Sequence, residues 1–350
     1  MKKIFIPLVA LAALAACSKS EVTYTENDSI SFSPVAYNQT KAALAKDAVP
    51  TCDLIVSANA GTGNNANTYT ESYFNNVVFT QDGATGIFTA EGYFWPNVKY
   101  LTFSGITKSA GVNIADVTMD VDGNQIKIAD YPQQAVGTEN NDLMWFEHTT
   151  PTGKTNNAVA VAMKHACSWI VLNFIGDETS GNSTRPWKIT NVTINGLTQS
   201  ETATLTDKAE WSKNKTTSIS LEVYKDDSKT TGGTNLNQST AFTPSTNGII
   251  VIPQVPTTLS ITYNYLSQGI DTPNDTSDDK VIEETATVKL NYNGNPEYNT
   301  TWTAWQPGTK YTYDITIGAA AIKIAPKAGD WTVYDADGTA GDKDNIEIPR

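Results

Sequence analysis

From residue 30 onward the chain is written in short runs that mix apolar and polar side chains with a period near two. Ile30-Ser31-Phe32, Val77-Val78-Phe79, Ile87-Phe88-Thr89 and Val98-Lys99-Tyr100-Leu101-Thr102-Phe103 open the series. Trp187 to Ile194, Ile249 to Ile252, Leu259 to Tyr265, Thr285 to Tyr292 and Tyr311 to Ile317 continue it. A period of two puts every second side chain on one face of an extended strand, so each run can bury one face and wet the other. The β-branched and aromatic residues of the runs suit a pleated surface, while Gly, Asn, Asp and Pro fill the gaps. Short strands at this spacing predict an all-β chain made of sandwiches or barrels. The one stretch of helix-like composition is Gln39 to Ala48, which ends before Pro50.

Local signals refine this. Val117 to Ile128 has the pattern of a hairpin with Asp122-Gly123 as its turn. In Tyr311 to Ile317, the alternation places Tyr311, Tyr313, Ile315 and Ile317 on one face. A length of 350 residues favours two domains. The polar segment His148 to Asn157 separates two groups of runs, and a long apolar strand, Ala158 to Ile175, follows it. These features place the domains at 29–156 and 157–350. Asp226 to Ser239 and Asp271 to Asp279 are polar and read as exposed loops.

The N-terminus has a separate logic. Met1-Lys2-Lys3 is a short cationic segment, and Ile4 to Ala16 is an apolar run too short to span a bilayer. It ends Leu14-Ala15-Ala16-Cys17, which resembles the bacterial lipobox, where the cysteine is lipidated and becomes the new N-terminus. Residues 1–17 are therefore expected to be a lipoprotein signal with Cys17 lipidated, and 18–28 a tether. Two acyl chains hold a protein on a membrane without a transmembrane helix.

The full chain carries a formal charge of −13. Removing residues 1–16 leaves 22 basic against 37 acidic side chains, a net of −15. Such a surface repels nucleic acid and anionic lipid, so membrane contact is expected through the anchor alone. Only two arginines occur, Arg185 and Arg350.

Catalytic chemistry has little to work with. His165 and Cys167 share a strand face by spacing, but a packed histidine is the simpler reading. Cys52 and Cys167 are expected to be buried thiols, although an extracytoplasmic site permits a disulfide. Asp271, Asp275, Asp278 and Asp279 lie in one loop, and Asp335, Asp337, Asp342 and Asp344 near the C-terminus. The second cluster fits a calcium loop only with Val333 as its first ligand, so both read as solvated acidic loops. No enzyme activity, metal or cofactor is expected. Trp187, Trp211 and Trp302 would be the glycan-stacking side chains of a sugar-binding surface if they stood exposed, against the alternative that they are core residues.

Several stretches, in order, resemble the fimbrillin family, the subunits of the type V pili of Bacteroidales. They are Ile30-Ser31-Phe32, Gly92-Tyr93-Phe94-Trp95-Pro96, Leu101-Thr102-Phe103 and Asn141-Asp142-Leu143-Met144-Trp145 in the first half. The second half adds Met163-Lys164-His165-Ala166-Cys167-Ser168-Trp169-Ile170, Ile252-Pro253-Gln254, Trp305-Gln306-Pro307-Gly308-Thr309-Lys310-Tyr311-Thr312-Tyr313, Ile322-Lys323-Ile324 and Asp330-Trp331. The resemblance implies two tandem transthyretin-like β-sandwich domains. It implies lipoprotein export to the outer membrane surface, proteolytic removal of the N-terminal segment, and polymerisation into a fimbrium by donor-strand exchange. The implied partners are other pilin subunits, with adhesion to host or bacterial surface glycans or proteins.

One departure stands out. The family's maturation route uses an arginine after the first strand, and residues 36–50 offer only Lys41 and Lys46. These two lysines are the expected cut sites; the alternative is an unprocessed anchor or accessory subunit. For strand exchange, Ile30 and Phe32 are expected to leave the first domain, with Pro34 ending that strand's pairing. Ile346 and Ile348 of a neighbouring subunit repeat the pattern and would replace them, Asp335 to Asn345 serving as a hinge; the alternative is that this short terminal strand frays or pairs within its own domain.

Overall fold

The computed structural model of the chain describes residues 28–36, 53–61, 71–330 and 346–349, apart from 98, 109–111, 122–123, 135–141, 179, 182–184, 215, 227–232, 237–239, 245–247, 268–278, 291–302 and 320. The fold is all-β. The first nine strands are β1 (Ser29–Ala36), β2 (Leu54–Gly61), β3 (Glu71–Gln81), β4 (Phe88–Phe94), β5 (Tyr100–Thr107), β6 (Val117–Asp120), β7 (Gln125–Pro132), β8 (Met144–Thr152) and β9 (Val159–His165). Seven of them close a circuit, β1-β4-β3-β2-β5-β8-β9. It has the form of two facing sheets. In one, β1 lies between β4 and β9; in the other, the order is β3-β2-β5-β8. Two short pairings sew the sheets together: Thr80 and Gln81 with Thr89 and Phe88, and Met144 and Trp145 with His165 and Lys164.

Between these sheets the inward residues form one core. Leu54, Val56, Ala58 and Ala60 come from β2, Leu101 and Phe103 from β5, and Val159, Val161 and Met163 from β9. β2 and β5 are buried on both faces. Their outer face is the floor of a second core, described below.

The remaining strands are β10 (Ser168–Gly176), β11 (Lys188–Thr198), β12 (Ser200–Leu205), β13 (Ala209–Trp211), β14 (Ser218–Lys225), β15 (Thr234–Asn235), β16 (Ile249–Val251), β17 (Thr258–Ser267), β18 (Lys280–Lys289), β19 (Thr309–Ile317), β20 (Ala321–Asp330) and β21 (Ile346–Pro349). One sheet runs β16-β10-β19-β20-β21, the other β14-β11-β17-β18 with β15 beside β11. The core between them takes Tyr311, Tyr313, Ile315 and Ile317 from one face of β19, all buried as their alternation predicts. The tyrosine hydroxyls stay satisfied in that core. Trp305 donates its indole N–H to Tyr313 over 2.9 Å, and the Gln306 backbone N–H donates to Tyr311 over 2.8 Å.

The hairpin β6–β7 forms where expected, with Val117 opposite Ile128; Asp122 and Gly123 lie outside the described residues. It does not stay with its own group. β7 pairs with β12, giving a four-stranded sheet β13-β12-β7-β6 with two strands from each half of the chain.

Two expectations about the boundary are corrected. The polar stretch from His148 is not a linker throughout, because β8 continues through it to Thr152, which pairs with Leu101. Ala158 to Ile175 is not one strand. β9 belongs with β1 and β8, and β10 belongs with β16 and β19, so the chain crosses between groups at Ala166-Cys167, past the expected position 156. The side-chain phase records the crossing. Inward residues are Val159, Val161 and Met163 before it, and Ile170, Leu172 and Phe174 after it.

Candidate functional site

The first strand is seated by its sequence in three steps. Asp28, assigned above to the tether, is held at the strand's start. Its carboxylate pairs with the Lys154 ammonium, and its carbonyl accepts the Trp95 backbone N–H over 2.7 Å. Ile30 and Phe32 then point inward and are fully buried. The Phe32 ring meets Phe79 edge-on at 4.9 Å between centroids, Phe103 edge-on at 5.0 Å, and Phe146 tilted at 5.8 Å. Each such pair adds roughly 0.5–1.5 kcal/mol beyond the area it buries.

The backbone does the rest. Ser31 and Phe32 pair antiparallel with Thr89 and Phe88 of β4, and Phe32 to Ala36 pair parallel with Val159 to Met163 of β9. The register slips between Ser29 and Ser31, where β4 carries extra residues, and Gly92 lies there at a φ of 84°, a conformation that favours glycine. Pro34 does not end the pairing as expected. Alternate residues of a strand present their N–H groups to opposite edges, so a proline costs only the edge it faces. Toward β4 the ladder stops at Phe32; toward β9 it continues, with Pro34 opposite Val161.

β1 is thus the middle strand of β4-β1-β9, paired on both sides. Among the described residues, the backbone ladders that join β4 and β9 to the second sheet are two-residue seams. Removing β1 would leave a groove walled by β4 and β9 and floored by Phe79, Phe103 and Phe146, with unpaired backbone on both walls.

The other expected site residues lie elsewhere. Ile346 and Ile348 are opposite Ile324 and Ile322, because β21 pairs with β20 at the edge of its own sheet. The structure does not bring them to Ile30 and Phe32. Cys17, Lys41, Lys46, Cys52 and Trp302 lie outside the described residues, as do Asp271, Asp275, Asp278 and the acidic residues 335–344.

Two of the glycan-stacking candidates are buried. Trp187 stacks on Tyr263 and Tyr265 at 5.2 and 5.0 Å, and Trp211 donates its indole N–H to the Ala166 carbonyl over 2.9 Å. The last aspartate of the first acidic loop is not solvated: Arg185 grips the Asp279 carboxylate with Nε at 2.5 Å and a second guanidinium nitrogen at 3.1 Å. Among the described residues, no group of three His, Cys, Asp or Glu could hold a metal ion.

His165 does not pair with Cys167. Its Nδ1 meets the Asp142 carboxylate, while Cys167 is buried at the crossing between the two groups, where burial pushes the thiol's pKa up. Sequence reasoning missed β9 as a wall of the groove, and with it Val159, Val161 and Met163. The inverted phase of the alternation across Ala166 to Ser168 is the signal that would have found it.

Residues 45–331 match the fimbrillin-like family, one of adhesion and structural proteins rather than enzymes. Residues 1–18 match the prokaryotic membrane lipoprotein lipid attachment site, a span that includes Cys17. No curated protein matches the chain. Among solved structures, a fimbrial protein from Bacteroides vulgatus is 14% identical, covers 86% of this chain and 99% of its own, and superposes with a TM-score of 0.59. A candidate cell adhesion protein from Bacteroides uniformis is 17% identical, covers 88% of this chain and 100% of its own, with a TM-score of 0.51. At these identities the likeness is one of fold. A match over residues 45–331, together with the lipid attachment site, shows that this chain belongs to the fimbrillin-like family of fimbrial and adhesion subunits.

Proposed function

We propose that this chain is a structural fimbrial subunit, exported as a lipoprotein anchored through Cys17 and exposed at the outer membrane. A protease cuts at Lys41 or Lys46, releases β1, and opens the groove between β4 and β9. The C-terminal segment of another subunit, carrying Ile346 and Ile348, then fills it by strand addition. The observation that carries this reading is the position of β1: it is paired on both edges and sends Phe32 into the aromatic floor. A replacement must therefore supply a ladder on each side and an apolar side chain for the core. Two of the three tryptophans that a glycan-binding reading would use, Trp187 and Trp211, are buried, and the third, Trp302, lies outside the described residues.

N-terminal sequencing of fimbriae sheared from cells tests the proposal. A mature chain starting at Ala42 or Asp47 is expected. One that still starts at Cys17 would overturn the processing step and leave an unprocessed anchor or accessory role.

A further inference from the structure

The crossing from β9 to β10 is two buried residues, Ala166 and Cys167, and both belong to a core built by the two halves together. Among the described residues, that core holds 16 buried apolar side chains, nearly as many as the 17 that line the interior of the first group. Its floor is the outer face of the same strands whose inner face seats Phe32. On β5, Phe103 faces the groove and Ile106 the shared core; on β8, Phe146 faces the groove and Trp145 the shared core.

Hydrogen bonds cross the same interface. Trp145 donates its indole N–H to the Thr206 carbonyl over 2.9 Å. The Gln133 side chain acts as a short strand: its amide donates to the Ile250 carbonyl over 2.7 Å and accepts the Ile252 N–H over 3.1 Å, which caps the open edge of β16. The chain reaches Gln133 directly from β7, which pairs with β12.

A joint core of this size cannot be exposed on one side alone. Opening the first group bares the apolar undersides of β12 and β13, and opening the second bares Ile55, Ile106 and Trp145. We infer that the two β groups unfold as a single cooperative unit, coupled through β5, β8 and the shared sheet. The state of the β1 groove is therefore felt by the sheet of β10, β19 and β20. Coupling of this kind is reciprocal. Its consequence for assembly, that filling the groove firms the sheet that leads to the C-terminal segment, rests on the proposed strand exchange; the coupling itself does not.

The test uses the full chain as a monomer and needs no fimbriae. Native-state hydrogen exchange is measured on the unaltered chain, on Val161→Ala in the wall of the groove, and on Ile261→Ala in the second core. Either variant is expected to speed exchange roughly tenfold or more at protected amides of β2 and β5 and, by the same factor, of β10 and β19. Acceleration confined to the half that carries the substitution would overturn the inference. Calorimetry of the unaltered chain decides independently of any variant. One transition, with calorimetric and van't Hoff enthalpies equal, is expected; two resolved transitions would refute the coupling.

Discussion

One edge of the Phe146 ring lies against Gly105, its cross-strand partner. A β-carbon on that glycine would stand 2.6 Å from Cζ of Phe146 and closer still to Cε1. Gly105 sits in β5 at an ordinary strand position, so the glycine is required by space and not by its φ angle. The consequence reaches the groove, because Phe146 also packs on Phe32. Gly105→Ala is expected to push the Phe146 ring toward Phe32 and destabilise the chain by about 1–3 kcal/mol, the usual cost of overpacking. A denaturant titration checks this. The compensating change Phe146→Leu in the same background should restore part of the loss.

Arg185 and Asp279 make the second prediction. The Asp279 side chain is fully buried and the Arg185 side chain nearly so. Arg185→Met would leave a carboxylate without its guanidinium in the interior, at a cost of about 3–5 kcal/mol. Arg185→Met combined with Asp279→Leu should recover most of that stability, since neither charge then remains to be desolvated. Thermal melts of the two single variants and the double variant read the difference directly.

Much of this fold was legible in the residues. Period-two alternation identified the inward face of β19, the hairpin of β6 and β7, and the burial of Ile30 and Phe32, since each depends on neighbours along one strand. What escaped depends on partners distant in sequence. Nothing local tells β7 to pair with β12, or the Gln133 amide to complete the edge of β16. Ala158 to Ile175 looked like one strand because its composition is uniform; only its phase changes. Burial was the simpler reading of Trp187 and Trp211, but their partners could not be read from spacing. Tyr263 and Tyr265, which cover Trp187, arrive on β17, far along the chain.

Glu147 carries a pH dependence. It stands opposite Ser104 on the outer face of β5 and β8. Burial raises its carboxyl pKa, Lys164 opposes the shift, and Asp207 adds to it. A raised folded-state pKa means that the folded chain holds this proton more tightly than the unfolded chain. Ionisation of Glu147 therefore subtracts stability at pH values above its raised pKa, and the deficit closes as pH falls below the ordinary glutamate value of about 4.3. Glu147→Gln is expected to be more stable than the unaltered chain at pH 7 and equal to it near the acid end. A Gln variant less stable at neutral pH, by an amount that does not change with pH, would show the carboxylate to be favourable where it lies.

The last prediction concerns the C-terminal strand and rests on the proposed strand exchange. On β20 it makes a single four-residue ladder at a sheet edge, Ala321 to Ile324 against Pro349 to Ile346. In the vacated seat of β1 a strand would be paired on both sides, by β4 and by β9, and would fill positions where Ile30 and Phe32 are fully buried. Under the proposed exchange, backbone pairing and apolar burial would both favour the groove once it is empty, and an occupied groove would leave the strand on its own edge. Replacing Ile346 and Ile348 together by Asp should accordingly separate folding from assembly. β21 is the last strand of its sheet, paired with β20 alone, so the monomer is expected to remain folded and to melt in a single cooperative transition. Assembly would require two carboxylates in a core whose described lining is apolar, a cost of several kcal/mol. Fimbriae of normal length from cells expressing only the double variant would show that these two residues do not fill the groove, whereas folded monomer without fimbriae is the expected result.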